Sequence, residues 1–357
     1  MEIKTYQIKT EEITEILIGQ KNMQKLASIF GGKKYSSFLV LCDNTTKSLF
    51  ADTLTNQLKK FSKLVEIHVV PNGEESKNIT SLFRILEHMV EKNFDRKSAV
   101  IALGGGVIGD LATTVSGLYH RGIDCIQIPT TLLAQVDAAI GGKGAVDLRN
   151  YKNIVGVFKQ PRFIIIDPSL LTTLPKDQIR SGMGEVIKYA IALDKTLFEL
   201  LEKNKNDISK LFPVIIQRCI HAKMSIVQKD PYEKSGSRQL LNFGHTLGHA
   251  IELYAHLSHG EAISIGMVFA TKVSQKLSML TTLEAEQAIN LLKIYGLPTT
   301  LSKNAITKEV IYKHMQKDKK AEKGIPTFVL LEGIGKAKSG CRVSRNIVDQ
   351  TLDEVLV

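Results

Sequence analysis

Five near-continuous apolar runs in the first half of the chain restrict its fold more than any other feature. They are "SSFLVLCD" (Ser36 to Asp43), "LVEIHVVP" (Leu64 to Pro71), "SAVIALGGG" (Ser98 to Gly106), "CIQIP" (Cys125 to Pro129) and "RFIIIDP" (Arg162 to Pro168). A strand with one wet face alternates apolar and polar residues, whereas an unbroken run needs cover on both faces, as in a parallel sheet wrapped by helices. Candidate helices such as "NITSLFRILEHMVEKN" fall between the runs, which is βαβ winding. From about Thr172 strand signals nearly vanish and long amphipathic stretches take over, among them "GEVIKYAIALDKTLFELLEKN", "LFPVIIQRCIHAKMSIVQKD" and "GEAISIGMVFATKVSQKLSML". A chain of 357 residues is long enough for two cores. We therefore expect an α/β domain over 1–172 and a mainly α-helical domain over 173–357. The junction falls at "TLP" (Thr173 to Pro175), where proline biases the preceding residue away from helix. Near the end, "IPTFVLLEGIGKAKSG" predicts a small hairpin.

Charge narrows the partners. The net charge of +11 fits either nucleic acid or a small polyanion, but the lysines are dispersed, aromatics are only 6% of residues, and no zinc-finger spacing occurs. Nucleic-acid binding is not expected. No apolar run approaches the roughly 20 residues that span a bilayer, and "MEIKTYQIKT" lacks a secretory apolar stretch, so the expectation is a soluble, cytoplasmic protein with no membrane partner. Cys42, Cys125, Cys219 and Cys341 are scattered without a CxxC pair, which predicts reduced thiols.

"ALGGGVIGD" follows a strand and opens an apolar helix, so the amides of Gly105, Gly106 and Val107 can face a phosphate with the positive end of a helix dipole behind them. Asp43 closes an earlier strand, where a carboxylate can accept from ribose hydroxyls, and "NGEESK" (Asn72 to Lys77) ends another. Three strand ends converging on one crevice predict a Rossmann-like, mostly parallel sheet carrying a dinucleotide.

The second half holds "LNFGHTLGHAIE" (Leu241 to Glu252) and, ten residues after His249, His259 in "SHGE". On a helix His245 and His249 face the same way. A catalytic zinc site takes three protein ligands and an open position, and two histidines with one carboxylate is a common set. Glu252, Glu261 and Glu185 are the candidate carboxylates, and spacing alone does not choose among them. Arg238, Asn242 and His245 fall at intervals that let one helical face present all three. Arg121, Lys143, Lys152, Lys188, Lys223 and Arg238, each beside glycine, histidine or asparagine or within an apolar helix, suit a phosphorylated, carboxylated ligand.

Taken together, "GGGVIGDLA", "YHRGIDCIQIPTTLLAQVDAAIGGK", "YKNIVGVFKQP", "LLTTLP", "GMGEVIKYA" and "RQLLNFGHTLGHAIE" with "HGEAISIGM" resemble the 3-dehydroquinate synthases, within the wider sugar-phosphate cyclase group. The resemblance runs from about Asp43 to Met267, with a weaker echo in "DKKAEKGIPTFVLLEGIG". It implies a dehydroquinate synthase-like fold, a homodimer, and a phosphate-eliminating lyase of the shikimate pathway. Such an enzyme converts 3-deoxy-D-arabino-heptulosonate 7-phosphate to 3-dehydroquinate by transient oxidation with NAD, phosphate loss, re-reduction and aldol closure. The resemblance also implies that Glu185, His245 and His259 bind zinc (with cobalt a possible substitute), while His249 is a neighbour of the reacting groups. NAD would lie over Gly105, Gly106 and Val107, with Asp43, Glu74, Lys77, Asp110, Thr130, Thr131, Lys143, Lys152, Leu170 and Thr173 around it. Arg121, Lys143, Lys152, Asn153, Lys188, Lys223, Arg238, Asn242 and one of Lys319 or Lys320 would hold the substrate, with Asp137 nearby.

Two departures stand out. The family reads "GGKTGIN" where this chain has "GGKGAVD" (Gly141 to Asp147), and Gly184 replaces the usual alanine. "SGMGE" also occurs in cyclases acting on glucose 6-phosphate, which makes a cyclase for glucose 6-phosphate or sedoheptulose 7-phosphate the first rival. The "GGK" and "VIKY" blocks and Lys223 favour the dehydroquinate branch. A metal-dependent glycerol or alcohol dehydrogenase, the second rival, would lack the phosphate cage and release NADH.

Overall fold

The structure is a computed structural model that describes residues 4–9, 13–30, 32–149, 151–205, 208–252, 254–317 and 326–357. The chain divides into two compact units, Met1–Pro175 and Lys176–Val357.

In the first unit the strands are β1 (Lys4–Lys9), β2 (Ile13–Ile18), β3 (Ser37–Asp43), β4 (Leu64–Val70), β5 (Ala99–Gly104), β6 (Asp124–Pro129), β7 (Lys143–Leu148), β8 (Tyr151–Phe158) and β9 (Phe163–Ile166). Seven of them form one sheet in the order β1-β2-β9-β6-β5-β3-β4. All neighbours are parallel except β1, which runs antiparallel to β2. Four of the five apolar runs are buried inner strands, for reasons visible residue by residue, whereas β4 is the edge strand and is half-buried rather than covered on both faces. Phe38, Val40 and Cys42 pack with Leu26, Ile29, Leu54 and Leu58 on one face. Leu39 and Leu41 pack with Ile85, Met89, Leu111 and Val115 on the other. Each such buried side chain stabilises the fold by roughly 1.5–3 kcal/mol.

The helix Ile79–Glu91, capped by the Asn78 side chain accepting from the Ser81 amide at 2.9 Å, connects β4 to β5, and Gly106–Leu118 connects β5 to β6. β7 and β8 form a separate hairpin beside the Gly106–Leu118 helix. The seating depends on missing side chains. A Cβ at Gly144 would lie 2.7 Å from Thr113 and from the Thr114 amide, and one at Gly117 2.8 Å from Val157.

The second unit is helical around His259–Lys276, whose buried residues run through Ile263, Met267, Phe269 and Val273. Packed on it are Lys176–Ala192, His245–Glu252, Thr282–Ile294, Arg345–Val355 and the hairpin of β10 (Thr327–Gly333) and β11 (Lys336–Arg342). The expected late hairpin is therefore present. "GEVIKYAIALDKTLFELLEKN" is split in two, because Asp194 ends one helix and caps the next by accepting from the Leu197 amide at 3.0 Å. The four cysteines are free, with Cys42, Cys125 and Cys219 buried. Among the described residues no helix is long and apolar enough to cross a membrane.

Candidate metal and nucleotide sites

Three helices of the second unit bring Glu185, His245 and His259 together. Glu185 lies within Lys176–Ala192, while His245 and His259 are the first residues of their own helices. Backbone contact between helices makes this possible. A Cβ on Gly184 would sit 2.8 Å from the Cα and carbonyl oxygen of Gly260, one on Gly260 would sit 1.9 Å from the Ser181 carbonyl oxygen, and one on Gly266 1.9 Å from that of Gly244. Gly244 itself has φ +80°, which turns the chain into the His245 helix. Ser258 and Glu261 form a capping box at the start of His259–Lys276, and Arg180 binds Glu261 at 3.1 Å. That arrangement uses Glu261 as a cap, so of the three candidate carboxylates Glu185 is the one set between the histidines.

The Nε2 atoms of His245 and His259 each lie 3.5 Å from Glu185 Oε1, and one ligand atom from each residue falls within 4.8 Å of the others. The outer ring nitrogens decide the tautomers. Nδ1 of His245 is 3.1 Å from the Phe243 carbonyl oxygen, an obligate acceptor, so Nδ1 carries a proton and Nε2 is the nitrogen turned to Glu185. Nδ1 of His259 is 3.2 Å from Glu252 Oε2. Burial opposes the His259 imidazolium, but hydrogen bonds to Glu185 and Glu252, and the charges of both, outweigh it and lift its pKa to about 10. The site attracts positive charge. A buried carboxylate with two imidazole nitrogens turned toward it is a donor set that suits a divalent transition ion.

One cation touches this cluster, and two more are buried in the same unit. Lys188 is buried, ion-paired with Glu185, and lies over the Tyr189 ring at 4.4 Å. Lys223 and Arg238 are buried as well, and Arg238 Nη1 donates to the Pro231 carbonyl at 2.9 Å. His249 is exposed, its ring 5.1 Å from that of His245, as the helical spacing requires. One expectation fails. Arg238, Asn242 and His245 do not share a helical face, because Ser237–Asn242 is a tighter 3-10 helix that ends at Phe243 (ψ 126°) and Gly244. Lys319 and Lys320 lie outside the described residues. The Phe243 carbonyl and the orienting position of Glu252 were missed by sequence reasoning, whereas the Ser258/Glu261 cap is readable in "SHGE" as an S-x-x-E box.

In the first unit Gly105 caps the Gly106–Leu118 helix in an extended conformation, and Gly104 is required because its Cβ would lie 2.6 Å from Ile108. The amides of Gly106 and Val107 thus open a helix at the end of β5. Lys77 is buried, with Nζ 2.6 Å from Glu74 and 3.4 Å from Asp110. Burial pushes the Asp110 carboxyl up to about 6 against the opposing charge of Lys77. Burial alone would depress Lys77, but Asp110 and Glu74 reverse this and raise it.

Around that turn, Thr130 donates its amide to the Gly104 carbonyl at 3.0 Å, Thr131 Oγ1 accepts from the Ala134 amide at 3.1 Å, and Thr173 Oγ1 donates to the Leu170 carbonyl at 3.0 Å. Leu170 is buried. Asp43 is engaged as a helix cap, Oδ1 accepting from the Thr46 amide at 2.7 Å. Asp137 lies in the turn Ala134–Ala138. Lys143 stands at the base of the β7–β8 hairpin and Lys152 and Asn153 near its tip, so the hairpin holds them apart rather than together, all three exposed. Arg121 is exposed after the Gly106–Leu118 helix, with φ 65°.

Family models described as the 3-dehydroquinate synthase N-terminal and C-terminal regions match residues 67–181 and 182–321. A 3-dehydroquinate synthase of Thermoanaerobacter pseudethanolicus is 43% identical over 310 residues, covering 85% of this chain and 86% of the relative. One from Rippkaea orientalis is 41% identical over 323 residues, covering 88% of each. Among solved structures, a 2-deoxy-scyllo-inosose synthase complexed with carbaglucose-6-phosphate, NAD+ and Co2+ superposes with a TM-score of 0.87 at 26% identity, over 99% of this chain and 100% of that one. With the parallel sheet, the glycine turn and the histidine–glutamate cluster in place, these matches show that the chain belongs to the 3-dehydroquinate synthase family.

Proposed function

We propose that the protein converts 3-deoxy-D-arabino-heptulosonate 7-phosphate to 3-dehydroquinate and phosphate, using a divalent ion and NAD. The observation that carries this is the convergence of Glu185 Oε1 with the Nε2 atoms of His245 and His259, with the buried Lys188 ion-paired to the same carboxylate. Zinc or cobalt would be held by Glu185, His245 and His259. NAD would be held by the Gly105–Val107 turn with Asp43, Glu74, Lys77, Asp110, Thr130, Thr131, Leu170 and Thr173, and with Lys143 and Lys152. When bound, the ion supplies Lewis acidity toward a substrate hydroxyl, and NAD supplies a hydride acceptor that is regenerated. The inosose synthase that holds NAD+ and Co2+ supports this choice of cofactors.

The chain's own residues account for the rest. Lys188, Lys223 and Arg238 are buried, and a cation in a desolvated setting attracts phosphate and carboxylate more strongly than in water. Asn242 offers both a donor and an acceptor to hydroxyls. His249, exposed one turn from His245, can exchange a proton with substrate at a ring nitrogen. Arg121, Asp137, Lys143, Lys152 and Asn153 are further proposed polar residues of the reaction, and a homodimer is the proposed assembly. Holding one conformer through many charge-assisted contacts lowers the entropic part of the barrier.

The test is to supply the heptulosonate phosphate, catalytic NAD and zinc, and to measure phosphate release alongside NADH absorbance. Phosphate release with no net NADH is expected. Silence there with turnover of sedoheptulose 7-phosphate or glucose 6-phosphate would move the chain to another cyclase branch.

A further inference from the structure

Glu252 occupies a place that the ligand set itself does not explain. It follows His245 by seven residues on the helix His245–Glu252, two turns along, so it shares a face with His245 and His249. Its Oε2 lies 3.2 Å from Nδ1 of His259, while Nε2 of the same ring lies 3.5 Å from Glu185 Oε1. The ring is therefore held at both nitrogens. A carboxylate acceptor at Nδ1 keeps a proton there and stops the ring from turning over, so that Nε2, the nitrogen facing Glu185, is the one that would give up its proton to an ion.

A second use of Glu252 is possible in geometry, since His249, Glu252 and His259 also bring one ligand atom each within 4.8 Å. Two facts weigh against it. That triad would strip His259 of its Nδ1 proton while Nε2 serves the first cluster, and it is open to solvent at His249 whereas Glu185 is fully buried. We propose that Glu252 is a positioning residue that fixes the tautomer and orientation of His259 and thereby sets the affinity for the ion, without contacting ion or substrate. This deepens the metal reading proposed above and rests on it.

Zinc affinity of the full chain, measured by competition with a chelating fluorophore, tests the proposal without reference to turnover. Glu252→Gln, which keeps the side-chain shape, is expected to raise the zinc dissociation constant roughly 10- to 100-fold at an unchanged stoichiometry of one. The nitrogen-15 spectrum of zinc-loaded wild type, which needs no variant to fold, should show the His259 proton on Nδ1. Wild-type affinity in Glu252→Gln, a proton on Nε2, or a second zinc equivalent that Glu252→Gln abolishes would each overturn it. Failure of the underlying reading looks different: wild type would take up no zinc, or His245→Ala would bind it as tightly as wild type.

Discussion

Gly184 and Gly260 meet backbone to backbone: a Cβ at 184 would fall 2.8 Å from the Cα of Gly260, and one at 260 would fall 1.9 Å from the carbonyl oxygen of Ser181. The crossing sets how near Glu185 comes to His259. Gly260→Ala pushes into a backbone that cannot yield cheaply, so it should destabilise by about 3 kcal/mol or more, while Gly184→Ala should cost about 1–2 kcal/mol. Urea unfolding of both variants checks the order, and a Gly260→Ala protein as stable as wild type would show that the two helices slide freely.

Metal binding to the folded state alone should appear as stability. At a free zinc concentration about 1,000 times the dissociation constant, the unfolding free energy should rise by about 4 kcal/mol. His245→Ala removes one donor and should abolish the gain, and Glu185→Ala likewise. Thermal unfolding with and without zinc after chelator treatment is the measurement.

How much of this was legible in the sequence depended on where the information lay. β3, β5 and β6 are sandwiched between two apolar layers, so burial is written into consecutive residues. β8 carries Ile154, Val155, Val157 and Phe158 yet is exposed along most of its length, so its apolar residues do not mark it as a covered sheet strand. The His245/His249 pair was readable because helical spacing is local. The partner carboxylate was not: Glu252 and Glu261 are nearer in sequence, and only the Gly184–Gly260 crossing brings Glu185 between the histidines. Family resemblance supplied that choice. The face proposed for Arg238, Asn242 and His245 failed because extrapolating helical spacing through Gly244 ignored its left-handed turn.

Asp110 gives the fold a pH signature. Its carboxyl is raised from an ordinary 3.8 to about 6, so between those values the folded state holds the proton more tightly than the unfolded chain. The stability it contributes is full below about pH 4 and is lost as pH rises through 6, a change on the order of 3 kcal/mol at most. Asp110→Asn cannot titrate. The difference in unfolding free energy between variant and wild type should therefore grow in the variant's favour from pH 4 to pH 6 and be flat above pH 7; a difference constant across that range would place the Asp110 carboxyl in its ordinary range.

Asp147 stands where the family has asparagine, and the structure gives it a job that either residue can do. Its amide donates to the Lys77 carbonyl at 2.8 Å, and its Oδ1 accepts from the Asn153 amide at 2.7 Å, holding Asn153 at φ 53° beside a register shift in the β7–β8 hairpin. A left-handed asparagine costs about 1 kcal/mol or more unless the surroundings hold it. Asparagine at 147 retains an acceptor oxygen, so Asp147→Asn should leave steady-state constants within about twofold, each twofold change being worth only about 0.4 kcal/mol. Asp147→Ala removes the acceptor and frees the turn that carries Lys152 and Asn153. If those residues bind the substrate's phosphate, KM for the heptulosonate phosphate should rise about tenfold, with the larger share of the effect in KM rather than kcat, because the loss is of positioning before the chemical step. Equal KM values for Asp147→Ala and Asp147→Asn would mean that the hairpin tip holds its shape without this hydrogen bond.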